Sequence, residues 1–177
     1  MKSWEITKRA MSVLLSLSIA VLLCGCSGRR IKRNYTESEF CAEIRWEREG
    51  ESFSAKLWAD ASSSEGQDRK ITLEFISPEE LQGISAESFG EKDFIVCGEV
   101  RTELHNSAIL DAAHLIADIG SFSVRGSTSV AGRELVLVER LCGNTVTRIY
   151  IDGDSGAPFR AVSDSLTVDV VWFEYIS

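Results

Sequence analysis

The strictest constraint in this chain is a period of two. In residues 40–47, FCAEIRWE, the apolar Phe40, Ala42, Ile44 and Trp46 alternate with Cys41, Glu43, Arg45 and Glu47. In residues 53–59, FSAKLWA, Phe53, Ala55, Leu57 and Ala59 repeat the pattern. Successive side chains of a strand point to opposite faces, so this spacing predicts strands with one dry face and one wet face. The segment REGES between them supplies a glycine-containing turn and predicts a hairpin. Residues 71–76, ITLEFI, place Ile71, Leu73 and Phe75 on one face, which makes a third strand and an antiparallel meander.

Helical signals are few. SPEEL (77–81) opens with a serine that can cap, a proline suited to the first helical position and two glutamates at the positive end of the dipole, and Gly83 limits it to about one turn. Residues 107–119, SAILDAAHLIADI, form the one longer helix expected, with Ile109, Leu110, Ala113, Ile116 and Ala117 on one face and Gly120 at the C-cap. Strands are expected at DFIVCG (93–98), a short FSVRG, RELVLVERL (133–141), TVTRIYID (145–152), PFRAVS (158–163) and LTVDVVWFEYI (166–176). About eight strands with one main helix and a short helical turn predict an α+β fold: a curved antiparallel sheet, an open half-barrel, with the helices on its concave side.

The first 25 residues read as a leader. Lys2, Lys8 and Arg9 stand against Glu5, and Met11–Leu23 carries no charge. That run is shorter than the roughly 20 residues that span a bilayer core, and it ends in small residues, as secretory signals do. Its end, LCGC, resembles the bacterial lipobox. The resemblance implies that Leu23 and Gly25 take the aliphatic and small positions, that Cys24 leaves with the signal, and that Cys26 is the lipidated residue. A diacylglyceryl group holds a protein to a membrane far better than one acyl chain does. The expected organisation is a signal peptide (1–25), a lipidated flexible tether (26–37) and a β-rich domain (38–177). The basic RRIKR (29–33) would lie against an anionic leaflet.

Without its leader the chain has 152 residues, enough for one domain with a core. The whole chain carries −8, and removing a leader of net charge +2 leaves −10. Such a surface does not seek nucleic acid. Three cysteines remain, Cys41, Cys97 and Cys142, with no CxxC or metal spacing. One bridge with a free thiol, or three reduced and mostly buried thiols, are the two expectations, the second favoured.

The line IYIDGDSGAPFRAVS, a strand, an acidic turn, Gly-x-Pro and a strand, resembles a hairpin of LolA/LolB-like lipoprotein carriers, and the order of elements agrees over residues 38–176. That resemblance implies a half-barrel whose apolar concavity holds acyl chains, without catalysis or cofactor. On this reading Trp46, Phe53, Leu57, Phe75, Leu137 and Trp172 line the concave side, while Trp58 lies on the other face. The alternative is core packing of the same side chains, in a structural module that meets another envelope protein. Membrane attachment through lipid, a lipid or lipoprotein ligand and an envelope protein partner are the resulting expectations. The place is the extracytoplasmic face of the cell membrane, or an outer membrane where the host has one, since Ser27 comes directly after the lipid site. His114 has Asp111 and Asp118 at helical spacing, and Asp152 and Asp154 share a turn. Neither set reaches a metal-ligand pattern, and a solvated helix face and a tight turn explain them. No GxSxG, phosphate loop or HExxH occurs.

Overall fold

A computed structural model describes residues 31–61, 69–105, 108–117, 122–142 and 145–176. The leader, Cys24, Cys26, most of the loop at 61–70, Asp118 and Gly120 lie outside them. One open antiparallel sheet of eleven strands runs through the molecule. In chain order these are β1 (Phe40–Arg48), β2 (Glu51–Ala59), β3 (Ile71–Ser77), β4 (Ile84–Phe89), β5 (Lys92–Cys97) and β6 (Val100–Leu104). After helix α1 (Asp111–Ala117) come β7 (Ser123–Val130), β8 (Arg133–Cys142), β9 (Thr145–Asp152), β10 (Pro158–Val162) and β11 (Thr167–Tyr175). The spatial order β6-β5-β4-β3-β2-β1-β11-β10-β9-β8-β7 makes two meanders joined where β1 pairs with β11. The α+β class and the curved open sheet agree with the sequence.

The strand count exceeds the expected eight for a physical reason. β6 and β7 are the two edges, and nearly every side chain on them is exposed; β6 is absent from the expected strands, and β7 appears among them only as the short FSVRG. Strands that bury neither face leave no alternation to read. β4 buries only Ala86 and Ser88 of its six residues, so its signal is weak as well. The opening hairpin closes as the turn residues require. Glu49 and Gly50 take φ of 55° and 84° between the paired Arg48 and Glu51, the conformation a two-residue hairpin loop needs.

The helical expectations shift. Ser77 pairs with Ser54 at the end of β3 and caps nothing; Pro78 precedes a single 3-10 turn, Glu79–Leu81, that has no side-chain cap. The mid-chain helix is a 3-10 turn, Ala108–Leu110, running into α1. Leu110, Ala113 and Ile116 are fully buried, and α1 packs on β3, β10 and β11. The helix thereby fills the middle of the concave face, over a floor of Phe40, Ile44, Leu57, Leu73, Ile149, Ile151 and Val168.

A boundary at residue 38 would leave Tyr35 in the tether, but the structure places it in the core, with no exposure at all. Asn34 accepts from the Thr36 amide and caps a 3-10 turn, Tyr35–Glu37. The Tyr35 hydroxyl donates to the Ile116 carbonyl at 3.0 Å, and burial pushes its pKa above the ordinary phenol value, so it stays a donor. Arg69 completes the clamp. Its guanidinium donates to the carbonyls of Thr36 (3.1 Å), Ser38 (2.9 Å) and Ala117 (2.7 Å) and lies 5.0 Å from the Phe40 ring centroid. One side chain thus ties the turn before β1, the start of β1 and the end of α1. Arg69→Ala is expected to cost about 1.5–3 kcal/mol, the range for hydrogen bonds to a charged group. Tyr35→Phe should cost about 1 kcal/mol. Urea unfolding measures both, and a lowered midpoint at unchanged slope is the expected result.

The β9–β10 turn is closed by its first residue. The Asp152 carboxylate accepts from the amides of Asp154 (3.0 Å) and Ser155 (2.8 Å) and from the Ser155 hydroxyl (2.9 Å). The Ser155 amide above all favours its ionised form and holds Asp152 below the usual carboxylate range. A depressed folded pKa gives stability that is present above the unfolded value, about 3.9, and is lost as pH falls through the folded value. Asp152→Asn should therefore lower stability near neutrality and flatten the acid limb, so that the two proteins converge as pH falls below about 4. Thermal unfolding of both proteins between pH 2 and 7 checks this.

Candidate functional site

α1 does not reach the end of the concave face where the β1–β2 hairpin turns. There the face stays open as a cleft of about 280 Å³, walled by Trp46, Phe53, Phe75, Leu81 and Ile109, with Arg48 and Ala108 at its edge. Period two builds the floor. Trp46 and Phe53 are register partners on β1 and β2, and their rings stack 5.5 Å apart at 12°. Phe75 joins from β3, 6.3 Å from Trp46. Leu81 comes from the turn after Pro78, and Ile109 from the turn that leads into α1. Arg48 donates to the Ala108 carbonyl at 3.1 Å and stands 3.6 Å from Asp111. The only cation of the lining, among the described residues, thus also braces the wall.

Of the six side chains expected to line the concavity, Trp46, Phe53 and Phe75 meet in this cleft. Leu57 is on the same face but fully buried in the core. Leu137 and Trp172 lie on the outer face. In β8, Val136 and Val138 pair with the buried Ile151 and Ile149, which sends Leu137 outward beside Tyr150. The run Leu135–Val138 is apolar at every position, so alternation sets no sign there. In β11 the register slips at Glu43/Ile44: Ile44 pairs with Val170, Glu43 with Trp172 and Ala42 with Phe173. The extra residue of a bulge reverses the facing of everything beyond it. Trp172 is therefore half exposed on the outer face, and Phe173 and Tyr175 turn inward to meet Tyr35 and Phe40.

Leu81, Ile109 and Arg48 were not among the expected lining residues. Ile109 belongs to the apolar helical stripe, and Arg48 continues the inward parity of Phe40–Trp46. A cation at an inward position was the available signal for the rim. Leu81 had none, because only the return of the chain after Pro78 carries it over the sheet.

Elsewhere the titratable groups make structure. His114 stands 3.8 Å from Asp93. It also borders a shallow hollow of about 420 Å³ between α1 and the β8–β11 strands, lined by Leu115 and Leu166 as well as Arg140, Thr145 and Thr147. Among the described residues no three His, Cys, Asp or Glu side chains are placed to hold a metal ion. Cys41 and Cys97 carry free thiols. Cys41 is half-buried on the outer face, and burial pushes its thiol pKa up. Cys97 is exposed, against the expectation of buried thiols, because it ends a strand next to the sheet edge. Trp58 shares the outer face with its register partner Cys41.

No protein-family model matches the chain, and no curated protein matches it. Solved structures do. An uncharacterized conserved protein from Thermus thermophilus matches with a TM-score of 0.50 at 14% identity, over 80% of each chain. MucB, in the Pseudomonas aeruginosa MucA/MucB complex, matches at 0.47 and 15% over 81% of this chain and 54% of that one. A LolA superfamily protein from Nitrosomonas europaea matches at 0.44 and 8%, over 81% and 89%. The first likeness is one of fold; the other two, below 0.5, carry no further weight.

Proposed function

We propose that this chain is a membrane-anchored extracytoplasmic lipoprotein that holds the end of an apolar chain, of acyl type with an anionic terminus, in the cleft at Trp46, Phe53 and Phe75. The observation that carries the reading is the cleft itself: aromatic and aliphatic walls left open beside the core, with Arg48 as the cation at its edge. The lipobox at residues 23–26 and the LolA/LolB-like hairpin at 150–161 support the place and the ligand class. On this reading the role is binding without chemistry.

Size limits the role. At about 280 Å³ the cleft falls just under the usual range of small-molecule sites, roughly 300–1,000 Å³. It accommodates the end of a chain rather than a whole lipid. Five buried methylenes are worth about 4 kcal/mol, which corresponds to a dissociation constant of about a millimolar. That suits transient holding. The second reading, a non-catalytic module that docks another envelope protein, draws on the same observation, since α1 fills most of the concavity and an apolar side chain would fit what remains.

Calorimetric titration with dodecanoate tests the first reading. Ile109→Trp, which fills the cleft, should abolish the heat of binding; unchanged binding would move the ligand elsewhere. Arg48→Gln should weaken dodecanoate several-fold and leave dodecanol unaffected. Absence of dodecanoate binding to the unaltered protein, with one dominant protein crosslinked in cells through a photoreactive group at position 53, would favour the second. The anchor is tested separately: Cys26→Ser should move the protein from the detergent phase to the aqueous phase and remove the diacylglyceryl mass.

A further inference from the structure

The chain does not hang freely from its anchor. Lys32 reaches Asp154 at 2.8 Å, and the Arg33 guanidinium lies 3.6 Å over the Tyr175 ring. Tyr175 in turn donates to the Ser155 carbonyl at 3.1 Å. Gly156 lets the two segments touch: with φ of 74°, any Cβ there would sit 2.1 Å from the Arg33 carbonyl oxygen. Residues 32 and 33 are thus seated on the β9–β10 turn.

Register places that turn at one end of the sheet. Phe40 pairs with Tyr175 and Ala59, and Pro158 with Ile151, so the β9–β10 turn and the start of β1 share an end with the β7–β8 turn. The β1–β2 hairpin and the cleft lie at the opposite end. Trp46 is six residues up β1 from Phe40, about 20 Å at 3.3 Å per residue. Six residues separate Cys26 from Lys32, a reach of at most about 22 Å. Arg29 and Arg30, between the lipid site and the seated residues, draw the same end toward anionic headgroups.

We infer that the seated tether orients the domain with the β9–β10 and β7–β8 turns toward its own membrane and the mouth of the aromatic cleft away from it. The occupant then arrives from the aqueous side, from a soluble carrier, a partner protein or an opposing membrane, and not by lateral escape from the bilayer that holds the anchor. This rests on the lipid anchor proposed above.

The test uses the full lipidated chain in vesicles of phosphatidylethanolamine and phosphatidylglycerol that carry a headgroup energy acceptor. Cys41, Cys97 and Cys142 are replaced by serine, and a donor is attached through Ser129→Cys beside the β7–β8 turn or through Ser52→Cys beside the β1–β2 hairpin. Transfer several-fold greater from position 129 than from position 52 is expected, and Gly156→Val, which unseats Arg33, should shrink that contrast. Equal transfer, or greater transfer from position 52, overturns the orientation while leaving the anchor standing. Failure of the protein to stay on the vesicles overturns the anchor, and the orientation with it.

Discussion

The pairing of β1 with β11 holds this molecule together. Each meander is local, pairing strands that follow one another in the chain. Only the β1–β11 ladder, between strands more than a hundred residues apart, makes them one sheet with one concave face. The loop-closure entropy of that contact is large but grows slowly with length. It is repaid by burial on both sides of the seam: Phe40, Ala42, Ile44 and Trp46 from β1, and Val168 and Phe173 from β11.

The bulge in that ladder has consequences at both ends of the sheet. It turns Phe173 and Tyr175 inward, where they complete an aromatic cluster with Tyr35 and Phe40. Tyr175 then offers its ring to Arg33 and its hydroxyl to the β9–β10 turn, so one extra residue in one strand also seats the N-terminal segment. Arg69 and Tyr35 transmit this order to α1 by bonding its last carbonyls. With α1 held near its C-terminal end, its leading turn covers the middle of the face and leaves the hairpin end open.

That division of the concave face decides what space remains open on it. A helix over the whole face would leave a plain core, and a helix lifted from it would leave a cavity for an entire lipid. The arrangement seen is intermediate, a short apolar cleft with one arginine on its rim. The outer face carries side-chain pairs instead, with Glu139 between Arg148 and Arg125, and Arg160 against Asp169. Arg148, then Arg125, keeps Glu139 ionised below the usual carboxylate range.

The sequence by itself determined the strand-rich class, the opening hairpin, the inward parity of β1 and β2, the single apolar helical stripe and the acidic turn at 152–156. All of these rest on local spacing or on a turn that one residue dictates. It did not reveal the edge strand β6, and it showed β7 only as the short FSVRG, because both are almost wholly exposed and so carry no period. Nor did it orient Leu137 or Trp172, since a run apolar at every position has no sign and a bulge inverts the facing of the residues beyond it. The tether's seat on Gly156 and the cleft beside Trp46 were decided by tertiary structure alone. Both depend on how distant segments meet, on the space α1 leaves over the sheet, and on a chain return after Pro78 that no local pattern encodes.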